Sequence, residues 1–146
     1  MKPELFALLA AVMWAAGSFF GKKGMQDAKL DPKVGLAIRL VVSALIILAI
    51  AAPLLSQLTE AAKTTVGRAG ILQILLFEGI IAGLIGMLLY YTALRQGDIS
   101  KVMPLAFASP FFGFILGVLY GGEHFTWIKA AGAGLTLAGI VILTAF

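Results

Sequence analysis

Residues 71–94 read ILQILLFEGIIAGLIGMLLYYTAL, an apolar run of helix length in which Glu78 is the single charged residue. A helix needs about 20 mostly apolar residues to cross the hydrocarbon of a bilayer. Lipid cannot satisfy backbone N–H and C=O groups, so each span must satisfy them internally, as a helix does. The alternating pattern of a β-barrel strand is absent from the run. The stretch therefore predicts a membrane-spanning helix.

Further runs of the same kind lie on both sides of this one. They are Leu5–Phe20, Val34–Ala52, Val102–Tyr120 and Trp127–Phe146. Hydrophobic residues make up 61% of the chain and charged residues 12%, against about 45–50% and 25% in soluble domains. The sequence thus predicts an all-α integral membrane protein with five transmembrane helices in one domain, residues 1–146. The expected location is the cell (inner) membrane, crossed several times.

The links between the runs are short, and none is large enough for a second domain. The longest is Ser56–Arg68, in which apolar residues such as Leu58 and Val66 alternate with charged ones. Such a pattern fits a short helix lying at the membrane interface. An ordinary loop is the favoured interpretation.

The residue inventory excludes several classes of function. The chain has no cysteine and one histidine, His124, so thiolate sites and a histidine metal cluster within one chain are excluded. It has no catalytic triad, phosphate loop or dinucleotide fingerprint. We therefore expect no enzyme activity, no cofactor and no metal. Nucleic acid is not an expected partner, because no aromatic-and-basic stripe accompanies the net charge of +4.

The positive charges between the runs predict only a weak orientation. Five spans place the two termini on opposite sides of the membrane. The side of the N-terminus holds Lys2, Lys63, Arg68 and Lys129, and the other holds Lys22, Lys23, Lys29, Lys33, Arg95 and Lys101. Orientation follows a clear excess of Lys and Arg on the cytoplasmic side. Four against six is compatible with insertion in either direction.

Two ionisable residues, Glu78 and Arg39, lie inside runs, where a charge costs about 3 kcal/mol on insertion scales. A cavity role is favoured for Glu78 over a buried structural partner. Arg39 can equally extend its side chain to the interface. Each lies roughly 10 Å from the nearer end of its run, measured from opposite sides of the membrane. In an antiparallel dimer, Glu78 of one chain would lie level with Arg39 of the other.

Polar and aromatic residues within the runs are further candidates for lining a cavity. Trp14 and Ser18 lie one turn apart in the first run, too deep for Trp14 to act as an interface anchor. Pro110, next to Ser109, can kink the fourth run, and a structural bend is favoured over a cavity-lining role. The candidate substrate or coupling residues are Glu78, Trp14, Ser18, Arg39, Tyr90, Ser109 and Pro110.

The second half of the chain carries a family signature. Residues 91–105 read YTALRQGDISKVMPL, and Ser109-Pro110, residues 121–126 (GGEHFT) and a small-residue helix from Gly132 follow. In this order the elements resemble an EamA-type repeat of the drug/metabolite transporter superfamily. Trp14 and Arg39 also resemble common features of such repeats, so the resemblance covers essentially the whole chain.

The resemblance implies half of a ten-helix, inverted-repeat transporter, with a substrate cavity between two halves and alternating access. The expected function is a secondary transporter, an exporter of a small organic metabolite or drug. A second copy inserted in the opposite direction would supply the other half, giving an antiparallel homodimer of dual topology. Protons are an expected coupling ion, carried by Glu78. The alternatives are an obligate half of a heteromeric transporter and a non-transporting membrane scaffold.

Overall fold

The computed structural model describes residues 2–145, and the regular structure in that range is entirely helical. Five stretches are long and apolar enough to cross a membrane. They are Pro3–Asp27, Pro32–Leu54, Thr65–Gln96, Ile99–Leu119 and Trp127–Ala145. The prediction of an all-α protein with five candidate membrane spans is thereby confirmed. The last predicted residue of the fifth run, Phe146, lies outside the described residues.

The first two helices are joined by a tight turn. Helix α1 (Pro3–Asp27) continues beyond the predicted end at Phe20, because the lysines that follow are good helix formers and their side chains can extend toward water. Lys29 then adopts a left-handed conformation (φ 54°), and the amide of Leu30 donates to the carbonyl of Met25 at 2.9 Å. The side chain of Asp31 caps helix α2 (Pro32–Ala51) by accepting from the amide of Lys33 at 2.9 Å.

The predicted loop after α2 is largely helical. A 3₁₀ turn at Ala52–Leu54 leads into α3 (Ser56–Ala62), and Thr64 caps α4 (Thr65–Gln73). Ordinary loop structure was therefore the wrong prediction for Ser56–Ala62. Local contacts account for the helix: the Thr59 hydroxyl donates to the carbonyl of Ser56 at 2.7 Å, and the Lys63 ammonium lies 2.6 Å from the Glu60 carboxylate. Pairs at this spacing stabilise a helix surface.

The third span contains an unusual segment. Between α4 and α5 (Met87–Gln96), Ile74–Gly86 forms thirteen residues of π-helix. Such wide turns are rare and are usually confined to single turns, often at functional sites. Gly83 fits this winding because a Cβ there would lie 2.8 Å from the carbonyl oxygen of Glu78. The charged residue of the span thus lies on the π-helical segment.

The fourth span is interrupted in its middle. Helix α6 (Ile99–Ala106) ends at Phe107, and α7 (Ser109–Leu119) begins after the buried Ala108. Pro104 lies inside α6, whereas Pro110 lies in the first turn of α7, where its missing N–H is not needed. The break therefore precedes Pro110.

The end of α7 is covered by a carboxylate that folds back on it. Gly122 has a φ of 68°, and the amide of Glu123 donates to the carbonyl of Gly117 at 3.0 Å. A Cβ on Gly117 would lie 3.0 Å from the Glu123 carboxyl carbon. A negative charge at a helix C-terminus is unfavourable, and the Lys129 ammonium compensates it from 3.5 Å. Helix α8 (Trp127–Ala145) packs against both α6 and α7.

Few side chains are buried within the chain itself. The buried hydrophobic residues among those described are Met25, Leu36, Leu94, Ala108 and Ile140. Most other apolar side chains are open to the surroundings, as lipid-facing spans require. By internal contacts the chain divides into two units. The terminal unit comprises the residues up to Phe19 and those from Gln96 onward, and the central unit is Phe20–Arg95.

Candidate functional site

The terminal unit contains a cavity of about 370 Å³ that is open on one side. Helix α1 contributes its wall on one side, and the interrupted fourth span contributes the other. The lining residues are Ala11, Trp14, Met103, Phe107, Ser109 and Pro110. The break between α6 and α7 borders this cavity, since Phe107 and Ser109 lie on either side of Ala108.

An aromatic pair forms the main wall of the cavity. The rings of Trp14 and Phe107 lie 5.7 Å apart between centroids at an interplanar angle of 21°. Trp14 keeps 54% of its surface exposed, so much of the indole is free to contact a solute. A flat apolar surface of this kind binds aromatic or aliphatic groups through dispersion and burial of apolar area.

The cavity offers little polarity. Apart from the Ser109 hydroxyl and the indole N–H of Trp14, the lining side chains are apolar, and none of the described lining residues is ionisable. A charged solute group would be poorly solvated in such surroundings. The cavity is therefore suited to the uncharged, apolar part of a small molecule, with the Ser109 hydroxyl available for a single hydrogen bond.

The central unit contains a separate cluster around Arg39. Its guanidinium donates to the Met87 sulfur at 3.5 Å and lies 6.0 Å from the centroid of the Tyr91 ring. Tyr90 contacts Tyr91 edge to face, at 6.3 Å between centroids. In the part of the chain that the structure describes, no carboxylate forms an ion pair with Arg39. The positive charge is thus held by weak acceptors and an aromatic face.

Glu78 stands apart from both groups. It lies on the π-helical segment of the third span, its side chain is exposed, and it is not among the residues that line the cavity. Within residues 2–145 its carboxylate makes no ion pair. A carboxylate in this position needs a partner or water from outside the described chain.

The candidate residues thus fall into distinct places. Trp14, Ser109 and Pro110 line one cavity, and Ser18 lies half-buried in the same unit, one turn after Trp14. Arg39, Tyr90 and Glu78 belong to the central unit. Sequence reasoning missed the cavity residues Ala11, Met103 and Phe107, and the Arg39 contacts Met87 and Tyr91. Only Phe107 carried a usable signal, since it lies between Pro104 and Pro110.

Arg95, in the signature stretch, has a structural contact. Its guanidinium donates to the backbone carbonyl of Leu30, in the turn between α1 and α2. A charged donor satisfies a carbonyl that the end of a helix leaves without a partner. This contact connects the end of α5 to that turn within the central unit.

The chain has the sequence pattern of a known family. The sequence profile of the EamA-like transporter family matches residues 1–145. The chain belongs to the EamA-like transporter family. The resemblance of its signature stretch to an EamA-type repeat is therefore confirmed. Together with the five candidate spans, this membership indicates a multi-pass membrane protein.

Individual relatives agree with the family. The chain is 26% identical over 144 residues to the Salmonella typhimurium protein named "Probable amino-acid metabolite efflux pump", which covers 97% of this chain and 48% of that protein. It is 30% identical over 143 residues to a Sinorhizobium protein named "Uncharacterized transporter in cobO 3'region", covering 98% of this chain and 96% of that protein.

A chloroplastic WAT1-related protein of Arabidopsis thaliana is 30% identical over 69 residues, which are 47% of this chain and 16% of that protein. The chain thus spans about half the length of the Salmonella relative and nearly all of the Sinorhizobium relative. No solved structure matches the chain significantly.

Proposed function

We propose that the protein is a secondary transporter that exports a small organic metabolite or drug. It works as an antiparallel homodimer with alternating access, in which two five-helix copies supply the two halves of the transport path. The export direction and an amino-acid-like substrate are favoured by the name of the Salmonella relative. The candidate substrate and coupling residues are those discussed above, with Trp14, Ser109 and Pro110 contacting the solute.

The observation that carries the proposal is the cavity between α1 and the interrupted fourth span. A break in a membrane helix is tolerated where the freed backbone is buried or lines a cavity, and broken helices recur at the substrate sites of inverted-repeat transporters. Here the break at Phe107–Ala108 borders the cavity that Trp14 and Ser109 line. A solute of one ring or one branched side chain suits its volume and its apolar walls.

The homodimer is supported by two separate observations. One repeat length covers 48% of the Salmonella relative and 96% of the Sinorhizobium relative, so the relatives include a protein of one repeat length as well as one of about two. The positive charges outside the spans are nearly balanced between the two sides, which allows insertion in both directions. A heteromer with a different five-helix chain remains the second candidate, and it differs in predicting that this chain alone does not transport.

Glu78 is the proposed coupling group. An ionisable residue inside a membrane span is a proton-relay candidate by default, and Glu78 is the one carboxylate within the five apolar runs of the sequence. Replacing it by glutamine removes the titratable proton while keeping size and polarity. Proton coupling by Glu78 then predicts that flux loses its dependence on a pH gradient in Glu78→Gln.

The purified chain, reconstituted alone in proteoliposomes, provides the test. Radiolabelled phenylalanine and leucine serve as probes of an aromatic and a branched neutral side chain, with labelled glutamate as a charged comparison. Saturable flux of a neutral probe supports the proposal. Absence of flux for every probe, with protein shown to be inserted, contradicts transport by this chain alone and favours a heteromer.

A topology assay tests the dimer arrangement separately. A reporter fused after the fifth span is read on both faces of the membrane. Signal on both faces is the expected result of dual topology. A signal restricted to one face refutes the antiparallel arrangement while leaving transport itself open to the flux assay.

A further inference from the structure

Two opposite charges in the central unit lack a partner of opposite charge within the described chain. Glu78 lies on the π-helical segment of the third span, and Arg39 lies on α2 in the second span. The ion pairs formed by residues 2–145 involve neither of them. Charged residues within spans usually face a partner, a cavity or water. Each of these two is therefore open to water or to an oppositely charged group from outside the described residues of one copy.

The two charges do not meet within one chain. The guanidinium of Arg39 is placed at Met87 and Tyr91. Met87 follows Glu78 by nine residues along the third span, a separation of about 10 Å along the helix axis. The contacts of Arg39 thus direct it away from Glu78 of its own chain, toward the other end of that span.

A second copy in the opposite orientation brings the two charges to one level. Arg39 lies five residues, about 8 Å, inside the apolar run that begins at Val34, and Glu78 lies seven residues, about 10 Å, inside the run that begins at Ile71. These two ends are on opposite sides of the membrane. A two-fold axis in the membrane plane exchanges the sides, so the remaining difference of about 2–3 Å is within the reach of an arginine side chain.

We propose that Glu78 of one copy forms an ion pair with Arg39 of a second, antiparallel copy. A two-fold interface is self-complementary, so each dimer contains the pair twice. The partner of these two charges is a second copy of the chain and not a lipid. The short Glu78 side chain cannot reach the headgroups from that depth, and a phosphate headgroup would satisfy only Arg39. Arginine also offers the forked donor geometry that a carboxylate accepts.

This pairing rests on the antiparallel homodimer of the proposed function. Its test therefore measures whether residue 78 of one copy lies close to residue 39 of the other, and does not measure flux. The chain has no cysteine, which makes introduced cysteines the only thiols present. One copy carries Glu78→Cys with one epitope tag, and the other carries Arg39→Cys with a second tag. In the mixed dimer the two-fold axis leaves the other Glu78–Arg39 pair intact, so the variants keep one native contact.

Ile46 provides the matched control. It lies on α2, seven residues or about two turns after Arg39, and therefore on the same face of that helix. Its side chain is exposed, as that of Arg39 is. In a parallel dimer Ile46 would lie level with Glu78 of the partner, whereas in the antiparallel dimer it lies about 8 Å away along the axis, and the lateral distance between the helices adds to this, so the Cα separation exceeds the limit of about 7 Å for a disulfide.

Oxidation in native membranes, followed by detection of both tags in one band, decides the matter. The pairing predicts a cross-linked mixed dimer between Glu78→Cys and Arg39→Cys. The same band should be absent or much weaker between Glu78→Cys and Ile46→Cys. The reverse preference indicates a parallel assembly and overturns it. No mixed cross-link with either partner, at equal membrane levels of both chains, also overturns it.

Exchanging the charges of Glu78 and Arg39 tests the same pair without cysteines. Glu78→Arg and Arg39→Glu each place like charges together, and each is expected to lower the fraction of dimer. The double variant restores opposite charges, so its dimer fraction is expected to return toward that of the unmodified chain. Additive losses in the double variant contradict the pair. Cross-linking without flux would overturn the transport proposal alone, and flux without cross-linking would overturn the pairing alone.

Discussion

Replacing Trp14 by alanine tests whether the cavity of the terminal unit holds the transported solute. Trp14 lines that cavity beside Phe107 and keeps 54% of its surface exposed. The substitution removes the indole wall and leaves α1 otherwise intact, since alanine is the best helix former. We expect weaker solute binding, seen as a higher KM for flux of the neutral amino acid that the proteoliposomes transport best.

The size of the effect follows from the exposed indole surface. A tryptophan side chain presents up to about 250 Å², so that the exposed half offers roughly 130 Å². Only part of that surface faces the cavity, and a solute covering about 30 Å² of indole there gains about 0.8 kcal/mol at 25 cal/mol per Å². Since about 1.4 kcal/mol corresponds to a factor of ten, KM should rise about fourfold.

Trp127 provides the matched control for this substitution. It is the other tryptophan of the chain, it is 81% exposed, and it contacts Phe125 edge to face at 5.2 Å. Trp127→Ala therefore also removes an indole and one aromatic contact, but Trp127 is not among the residues that line the cavity. Its KM should stay within about twofold of the unmodified chain, whereas any loss of thermal stability should be similar, about 1 kcal/mol.

A binding assay gives an independent measurement. Trp127→Phe leaves Trp14 as the sole tryptophan, so its fluorescence in nanodiscs reports on the cavity directly. Titration with the same amino acid should change that emission with a midpoint near the KM for flux. An unchanged KM in Trp14→Ala, together with unaltered emission on titration, would refute the assignment of the cavity.

Three further substitutions have defined outcomes. Gly117→Ala should lower the thermal midpoint in detergent by no more than the equivalent of about 1 kcal/mol, because a Cβ there would lie 3.0 Å from the Glu123 carboxylate, the mobile end of an exposed side chain, whereas Gly113→Ala, with nothing within 4 Å, should not. Gly83→Ala should also lower the midpoint, since its Cβ would lie 2.8 Å from the carbonyl oxygen of Glu78, whereas Gly79→Ala meets only a contact at 3.7 Å and should leave it unchanged or raise it. Glu78→Gln should abolish the response of flux to an imposed pH gradient. A midpoint equal to that of the unmodified chain in the first two, or full pH dependence in the third, would contradict these expectations.

The membrane class and the number of spans could be predicted from the sequence because they depend on composition along short stretches. A run such as Ile71–Leu94 is too apolar for water and too long for a buried strand, so only a membrane helix satisfies both its side chains and its backbone. The family signature was readable for a similar reason, since it is a local order of residues between Tyr91 and Gly139. Both predictions are confirmed.

Local winding was harder to predict than the presence of a helix. The stretch Ser56–Ala62 was expected to be a loop and is helical, because side-chain contacts within one turn decide such short segments. The π-helix at Ile74–Gly86 has no apolar period that distinguishes it from an α-helix in a run that is apolar on every side. Its winding depends on backbone contacts, such as the space that Gly83 leaves for a carbonyl.

The sequence by itself determined that the chain has five helices long and apolar enough to cross a membrane, that it resembles an EamA-type repeat, and that Glu78 and Arg39 are charges inside candidate spans. Each of these is a property of residues near one another in the chain. Only the tertiary structure placed Trp14 against Phe107 and joined both to Ser109 and Pro110 in one cavity. About 90 residues separate α1 from the break in the fourth span, and in lipid their meeting depends on side-chain shape and close packing, which no periodicity of apolar residues encodes.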